Sequence, residues 1–295
     1  MLPGRDDALP SGPVQLRRLL ARPGIVRSFG IHDVLSGLVF QQAGVELLFA
    51  GGFGIAASGF GYPDVGLVTL TEMATAVSHM AGRLNVPVVA DGDTGHGGLH
   101  NVARSVREFE QAGAAGMLLE DQVFPKRCGH FGKKQVVSEK EMLDKLRVAL
   151  DSRRSDEFVI FARTDSLATE GIDAAIRRAQ ACGELGADVC FVEAPTDEWQ
   201  LRRIADEVPF PLLANMLVGG QTPILSAKRL EEWGYKFVVC PISSLLVSAT
   251  AMHRLAKTFL EEGRLDAQST SQLDFEELKQ LLGLPSIDEY YEKST

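Results

Sequence analysis

The residues best suited to chemistry in this 295-residue chain are polar groups that terminate short apolar runs. Asp91 and Asp93 stand in VVADGDTGHGG, Glu120 and Asp121 close GMLLED, and Glu193 closes VCFVE; Arg163 and Asn215 end FVIFAR and FPLLAN in the same way. Each has a structural explanation, since an Asp or Asn after a strand often caps the next helix and an Arg there can pair with an acid. Five successive runs ending in such groups are better explained by one shared site. Carboxylates that converge without Cys or paired His make a hard, oxygen-rich environment suited to Mg2+, or Mn2+, rather than zinc. An ion so held can chelate a 2-hydroxy or 2-oxo acid and stabilise charge developing on its oxygen. Arg163 can offer a fork to a substrate carboxylate, and the Gly51-Gly52 turn can bring backbone N–H groups to the same anion.

A second group of reactive residues lies in QVFPKRCGHFGKKQV, residues 122–136, a connection longer than the roughly 2–6 residues usual after a strand. Lys126, Cys128, His130, Lys133 and Lys134 sit there among Gly129 and Gly132. Cations beside a thiol favour the thiolate, so this segment is expected to act as a lid that brings a thiol and positive charge over the acidic site and excludes water. The plainer alternative is a solvated basic loop. Cys182, Cys190 and Cys240 lie in apolar stretches and are expected to be inert; no C-x-x-C pair or zinc spacing points to a disulfide framework or a structural metal.

The elements that must position these residues are legible as a repeat. Apolar runs at about 24–28, 45–50, 86–91, 115–120, 158–163, 188–193, 210–215 and 236–241 predict eight buried parallel strands. Between them, 32–44, 71–84, 99–113, 138–153, 171–186, 197–207, 226–234 and 243–263 have helical periodicity, with Gly44, Gly113, Gly186 and Gly234 placed as C-terminal caps. Eight such units in about 240 residues predict a (β/α)8 barrel, in which the active site lies at the C-terminal ends of the strands. One barrel domain is expected over 1–295, with a leader and short helix at 1–22 and a helical extension at 264–295. Gly52, Gly54 and Ala57 imitate a dinucleotide fingerprint, but no helix is predicted directly after them, which argues against a nicotinamide or flavin cofactor. A net charge of -9 argues against nucleic acid, and no apolar run is long enough to span a membrane. The expectation is a cytoplasmic enzyme with a small-molecule substrate.

Taken together, YPDVG with Asp64, VVADGDTGHGG, LEDQVFPKRCGH, FARTDS, FVEAP and LLANM, in this order over nearly the whole chain, resemble the isocitrate lyase and phosphoenolpyruvate mutase superfamily. The resemblance implies a (β/α)8 barrel, a homotetramer exchanging C-terminal helices, Mg2+ at Asp91, Asp93 and Glu120, and a gating loop in which Cys128 is the acid. It places Lys126, His130, Arg163 and Glu193 with Cys128 in catalysis, and Gly51, Gly52, Asp64, Arg163 and Asn215 at the substrate. Lyases of this kind cleave a 2-hydroxy acid in retro-aldol fashion. Two departures from the methylisocitrate lyase pattern bear on the substrate: Phe49 and Gly51 stand where a tyrosine and a serine are expected, and Leu217 and Val218 replace polar residues after strand seven. A third carboxylate would lack partners there, so a smaller diacid such as 2,3-dimethylmalate is expected. Oxaloacetate hydrolysis, phosphonomutase-type chemistry and a non-catalytic ligand-binding role are the alternatives. His96, where an aromatic residue is expected, is either a substrate contact or a packed ring.

Overall fold

A computed structural model describes residues 4–129, 134–266 and 272–294. Eight strands follow one another along the chain: β1 Val26–Ile31, β2 Leu48–Ala50, β3 Val88–Asp91, β4 Gly116–Glu120, β5 Val159–Thr164, β6 Val189–Val192, β7 Leu213–Asn215 and β8 Phe237–Cys240. All pair in parallel, in the order β6-β5-β4-β3-β2-β1-β8-β7. A parallel bridge between Cys190 and Leu212 joins the two ends of this order and completes the ring. The fold is the expected (β/α)8 barrel.

The strands read as unbroken apolar runs because both faces are buried. One face packs inward: Val26, Phe49, Val89, Leu118, Phe161, Phe191, Leu213, Phe237 and Val239 form a single cluster. Leu16 and Leu19 of the helix Gly12–Ala21 join it beside the residues that begin the strands, plugging the mouth opposite the expected site. The other face packs outward, where Leu48, Val88, Ala90 and Ile160 meet Val77 and Met80 of helix Leu70–Ala81 and Val106 and Phe109 of helix Leu99–Gln111. Helices start on side-chain caps at Asp33, Thr69, Ser138, Asp197 and Ser226. Gly44, Gly113, Gly186 and Gly234 all lie in the left-handed region, as a terminating residue must.

One expectation is corrected. A helix does follow β2 directly: Gly52–Ile55 is α-helical and runs into a single π turn, Ala56–Phe60. Its glycines and alanines carry little helical signal, and the periodicity of so short a piece is unreadable. At the other end, helix Ser243–Glu262 buries none of its residues. Helices Phe275–Leu282 and Leu284–Ser294 follow, the former touching the barrel where Arg83 Nη2 donates to the carbonyls of Leu281 and Leu282 at 3.4 Å each. Among the described residues no helix is long and apolar enough to cross a membrane.

Candidate active site

The inward stack of apolar side chains turns polar one step higher on five strands. With a side-chain period of two, Val89 is followed by Asp91, Leu118 by Glu120, Phe161 by Arg163, Phe191 by Glu193 and Leu213 by Asn215. The five polar groups therefore rise from the barrel core at its C-terminal rim, as expected from the sequence.

The carboxylates are held by backbone amides and by one lysine. Asp91 accepts from Gly52 N at 2.9 Å and from Asp93 N at 3.1 Å. Asp93, in the left-handed region at φ 47°, lies 2.7 Å from Lys126 Nζ, which also pairs with Asp64. Lys126 is only 4% exposed. Burial opposes its charge, but the carboxylates of Asp93, Asp64, Asp91 and Glu120 outweigh burial and hold its pKa well above the ordinary value. The acids divide. Burial pushes Asp93 up to about 7 and Glu120 well above the usual carboxylate range. Burial acts on Asp91 too, but Lys126, the Gly52 N–H and Arg163 outweigh it and leave the group below its ordinary value.

Arg163 forms the second hub. It donates Nε to Asp165 Oδ2 at 2.9 Å and Nη2 to Asp165 Oδ1 at 3.1 Å, while Nη1 lies 3.3 Å from Glu120 Oε2 and Nη2 lies 3.4 Å from Glu193 Oε2. Asn215 Nδ2 reaches both Glu193 oxygens at 3.4 Å. Glu120 Oε1 is buried and has no hydrogen-bond partner. An acceptor oxygen left without a donor beside Asp91 and Asp93 fits a hard divalent cation. Among the described residues no three acidic, thiol or imidazole groups stand close enough to ligate one ion directly.

Residues 122–129 and 134–136 sit on this cluster through Lys126, Gly129 and Lys134. The ends of this loop pair at Gln122 and Val136, and the Gln122 side chain imitates a backbone strand, donating to Arg127 O at 2.8 Å and accepting from Arg127 N at 3.0 Å. Cys128 N donates to Asp64 O at 3.2 Å. Gly129 is buried so tightly that a Cβ there would fall 2.6 Å from Glu193 Cγ and closer still to Arg163 Nη2. Cys128 is half-buried, and none of the four cysteines is in a disulfide. His130 and Lys133 lie outside the described residues.

Beneath the loop is a cavity of about 80 Å³. Asp91, Gly51, Arg163, Glu193 and Asn215 line it together with an apolar wall of Phe49, Phe191, Leu213, Val239 and Pro241. Gly52 and Asp64 stand behind it, committed to Asp91 and Lys126. The apolar character comes from this wall rather than from Leu217, which is buried elsewhere, or Val218, which is exposed. The His96 ring lies 6.3 Å from the Phe109 ring, and its Nε2 is buried without a hydrogen-bond partner among the described residues. Sequence reasoning did not single out Asp165 or Gln122. Asp165 is two residues beyond Arg163 and so on the same inward side, a signal that was available; Gln122 acts by hydrogen-bonding backbone, which leaves no mark in spacing.

Carboxylates clustered at the C-terminal rim of a (β/α)8 barrel beneath a cysteine-bearing loop stand where this fold carries its active sites. The phosphoenolpyruvate phosphomutase family model matches residues 16–260, and the chain belongs to that family, within the isocitrate lyase and phosphoenolpyruvate mutase superfamily. It is 40% identical over 275 residues to 2,3-dimethylmalate lyase of Eubacterium barkeri, covering 93% of this chain and 95% of the relative. It is 38% identical over 276 residues to 2-methylisocitrate lyase of Halalkalibacterium halodurans, covering 94% and 90%. Among solved structures, oxaloacetate acetylhydrolase in complex with 3,3-difluorooxalacetate superposes with a TM-score of 0.90 at 30% identity, covering 96% of this chain and 97% of that one.

Proposed function

We propose that this protein is a Mg2+-dependent carbon–carbon lyase that cleaves a 2-hydroxy diacid of the substituted malate type, such as 2,3-dimethylmalate, to a 2-oxo acid and a carboxylate. The observation that supports this most directly is the seating of the Cys128 loop on the acid cluster, through Asp64 O and the Gly129 contact with Arg163 and Glu193. A thiol held beside the site can donate the proton that a carbanion formed there takes up.

Asp91, Asp93 and Glu120 would hold the ion, which when bound stabilises negative charge on the oxygens of a 2-oxo acid. With Asp91 engaged there, Glu193 is the carboxylate left in the cavity lining to take the proton of the 2-hydroxyl. The C2–C3 bond then breaks, its electron pair passes to C3 beside the departing carboxyl group, and the Cys128 thiol gives its proton to that carbon. Lys126 and Arg163 supply positive charge beside the carboxylate fragment and the thiolate. Phe49 contributes no hydroxyl, so the base is not at that position. The apolar wall suits alkyl substituents on the substrate, because burying them against Phe49, Phe191 and Leu213 removes hydrocarbon from water.

The small cavity and the likeness to oxaloacetate acetylhydrolase make hydrolysis of oxaloacetate the second reading. Both are tested by assaying substituted malates, 2-methylisocitrate, oxaloacetate and phosphonopyruvate with Mg2+ or Mn2+, detecting the released acids. A substituted malate is expected to turn over fastest, and Cys128→Ser to lower kcat about 10²- to 10⁴-fold, as loss of a general acid does. Full lyase activity in Cys128→Ser would sink this mechanism.

A further inference from the structure

Lys134 is buried to 3% side-chain exposure, yet the chemistry above gives it no part. Its ammonium donates to Gly129 O at 2.5 Å and to Asp165 Oδ1 at 2.8 Å. Asp165 is fully buried and grips the Arg163 guanidinium through both oxygens, while its own N–H donates to Asp121 Oδ1 at 2.8 Å. Asp121 is fixed in turn by Thr164 Oγ1 at 2.6 Å and Arg178 Nη1 at 3.2 Å. Lys134 therefore joins the returning limb of the loop to a rigid network at the end of β5 and, through Gly129 O, to the residue that follows Cys128.

The Cys128 segment is thereby held at both ends. Before the thiol-bearing carbon, the Cys128 N–H is bound to Asp64 O; after it, the Gly129 carbonyl is bound to Lys134. We propose that Lys134 is a positioning residue that fixes Cys128 over the reacting carbon by tying Gly129 to the Asp165–Arg163 pair. Its position six residues past the cysteine lets one ammonium bind back to Gly129 and dock on Asp165 at once. A freely solvated lysine would do neither, and a lysine kept only for charge balance on Asp165 would not need the Gly129 carbonyl.

The proposal rests on Cys128 being the acid, so its test uses a readout that needs no substrate. Rates of Cys128 alkylation by iodoacetamide, followed by peptide mass spectrometry with Cys240 as internal reference, are compared in the wild type, Lys134→Met, Lys134→Gln and Lys134→Arg. Releasing the loop in Lys134→Met and Lys134→Gln is expected to raise Cys128 alkylation about tenfold, by analogy with local opening. The same variants are expected to lower kcat about 10²-fold with little change in KM, the scale of a misplaced catalytic group. Lys134→Arg, which keeps the donor and the charge, is expected to recover part of both. If Cys128 alkylation in folded Lys134→Gln matches the wild type, Lys134 does not position the thiol, whatever happens to kcat. If alkylation rises as expected but Cys128→Ser retains full lyase activity, the positioning stands and the assignment of the acid falls. Should Lys134→Met not fold, the Gln and Arg pair decides.

Discussion

Asp64, Asp91, Asp93 and Glu120 share one buried ammonium at Lys126, and a cluster so rich in acid answers to pH in a definite direction. An unfolded aspartate loses its proton near pH 3.9, whereas burial holds the Asp93 proton up to about 7. Between those values the folded protein binds the extra proton, so metal-free stability falls as pH rises through the window. Glu120 and Asp121, both raised chiefly by burial, act in the same direction. His96, lowered by burial, has the opposite sign over a window ending at 6.5. Asp91 and Asp165, held below their ordinary 3.8, change only at lower pH. Thermal melts of the metal-free protein from about pH 5 to about pH 7.5 are expected to show a falling Tm, with a shallower slope in Asp93→Asn and in saturating Mg2+. An unchanged slope in Asp93→Asn would remove Asp93 from this account. The same cluster shows what a sequence can disclose at this scale. Asp91, Glu120, Arg163, Glu193 and Asn215 were legible because each extends a strand's alternation by one step. The pairing of Lys126 with Asp64 and Asp93 was not, because pairing among buried charges is decided by three-dimensional distance, whereas Asp165 followed Arg163 at the same two-residue step and could have been read.

At the scale of elements, the segment that carries Cys128 meets Arg163 of β5 and the residue after β6 through a glycine. Any side chain at Gly129 must displace Arg163 or Glu193 or lift the loop, and lifting a loop costs less than disrupting a buried guanidinium with three acidic neighbours. Gly129→Ala is therefore expected to fold with nearly unchanged Tm but to lose about 10²-fold in kcat, the scale at which a catalytic group displaced by about 1 Å is felt. A variant with wild-type kcat would show that the contact does not matter to turnover. The strands themselves were legible because barrel strands are buried on both sides and must be apolar throughout. Helix Gly52–Ile55 was not, since its nucleation depends on Gly52 N meeting Asp91, a contact 39 residues distant. Gln122 escaped notice for a related reason: its amide replaces backbone partners at Arg127, a task with no periodicity.

The molecule presents a surface that the described residues of its own chain leave open. Helix Ser243–Glu262 is 20 residues long and buries none of them, although Leu246, Val247, Met252, Phe259 and Leu260 all lie on it and Leu260 is 83% exposed. Most helices are stabilised by burying one face, and contiguous exposed hydrocarbon on a soluble protein marks an interaction surface. The exposed Phe275, Tyr290 and Tyr291 of the two helices that follow extend the same character toward the C-terminal end. A second copy of the chain is the occupant expected from the family resemblance, with a homotetramer as the assembled form. Light scattering coupled to size exclusion is then expected to give a mass near four times 32.0 kDa. Replacing two of the exposed apolar residues together, Phe259→Glu with Leu260→Glu, is expected to shift the mass downward, because each buried charge without a partner opposes association by several kcal/mol. The double variant's barrel should keep its far-ultraviolet spectrum, since neither residue belongs to the barrel core. A wild-type monomer at micromolar concentration would refute the assembly, and an undiminished mass in the double variant would move the contact to another face.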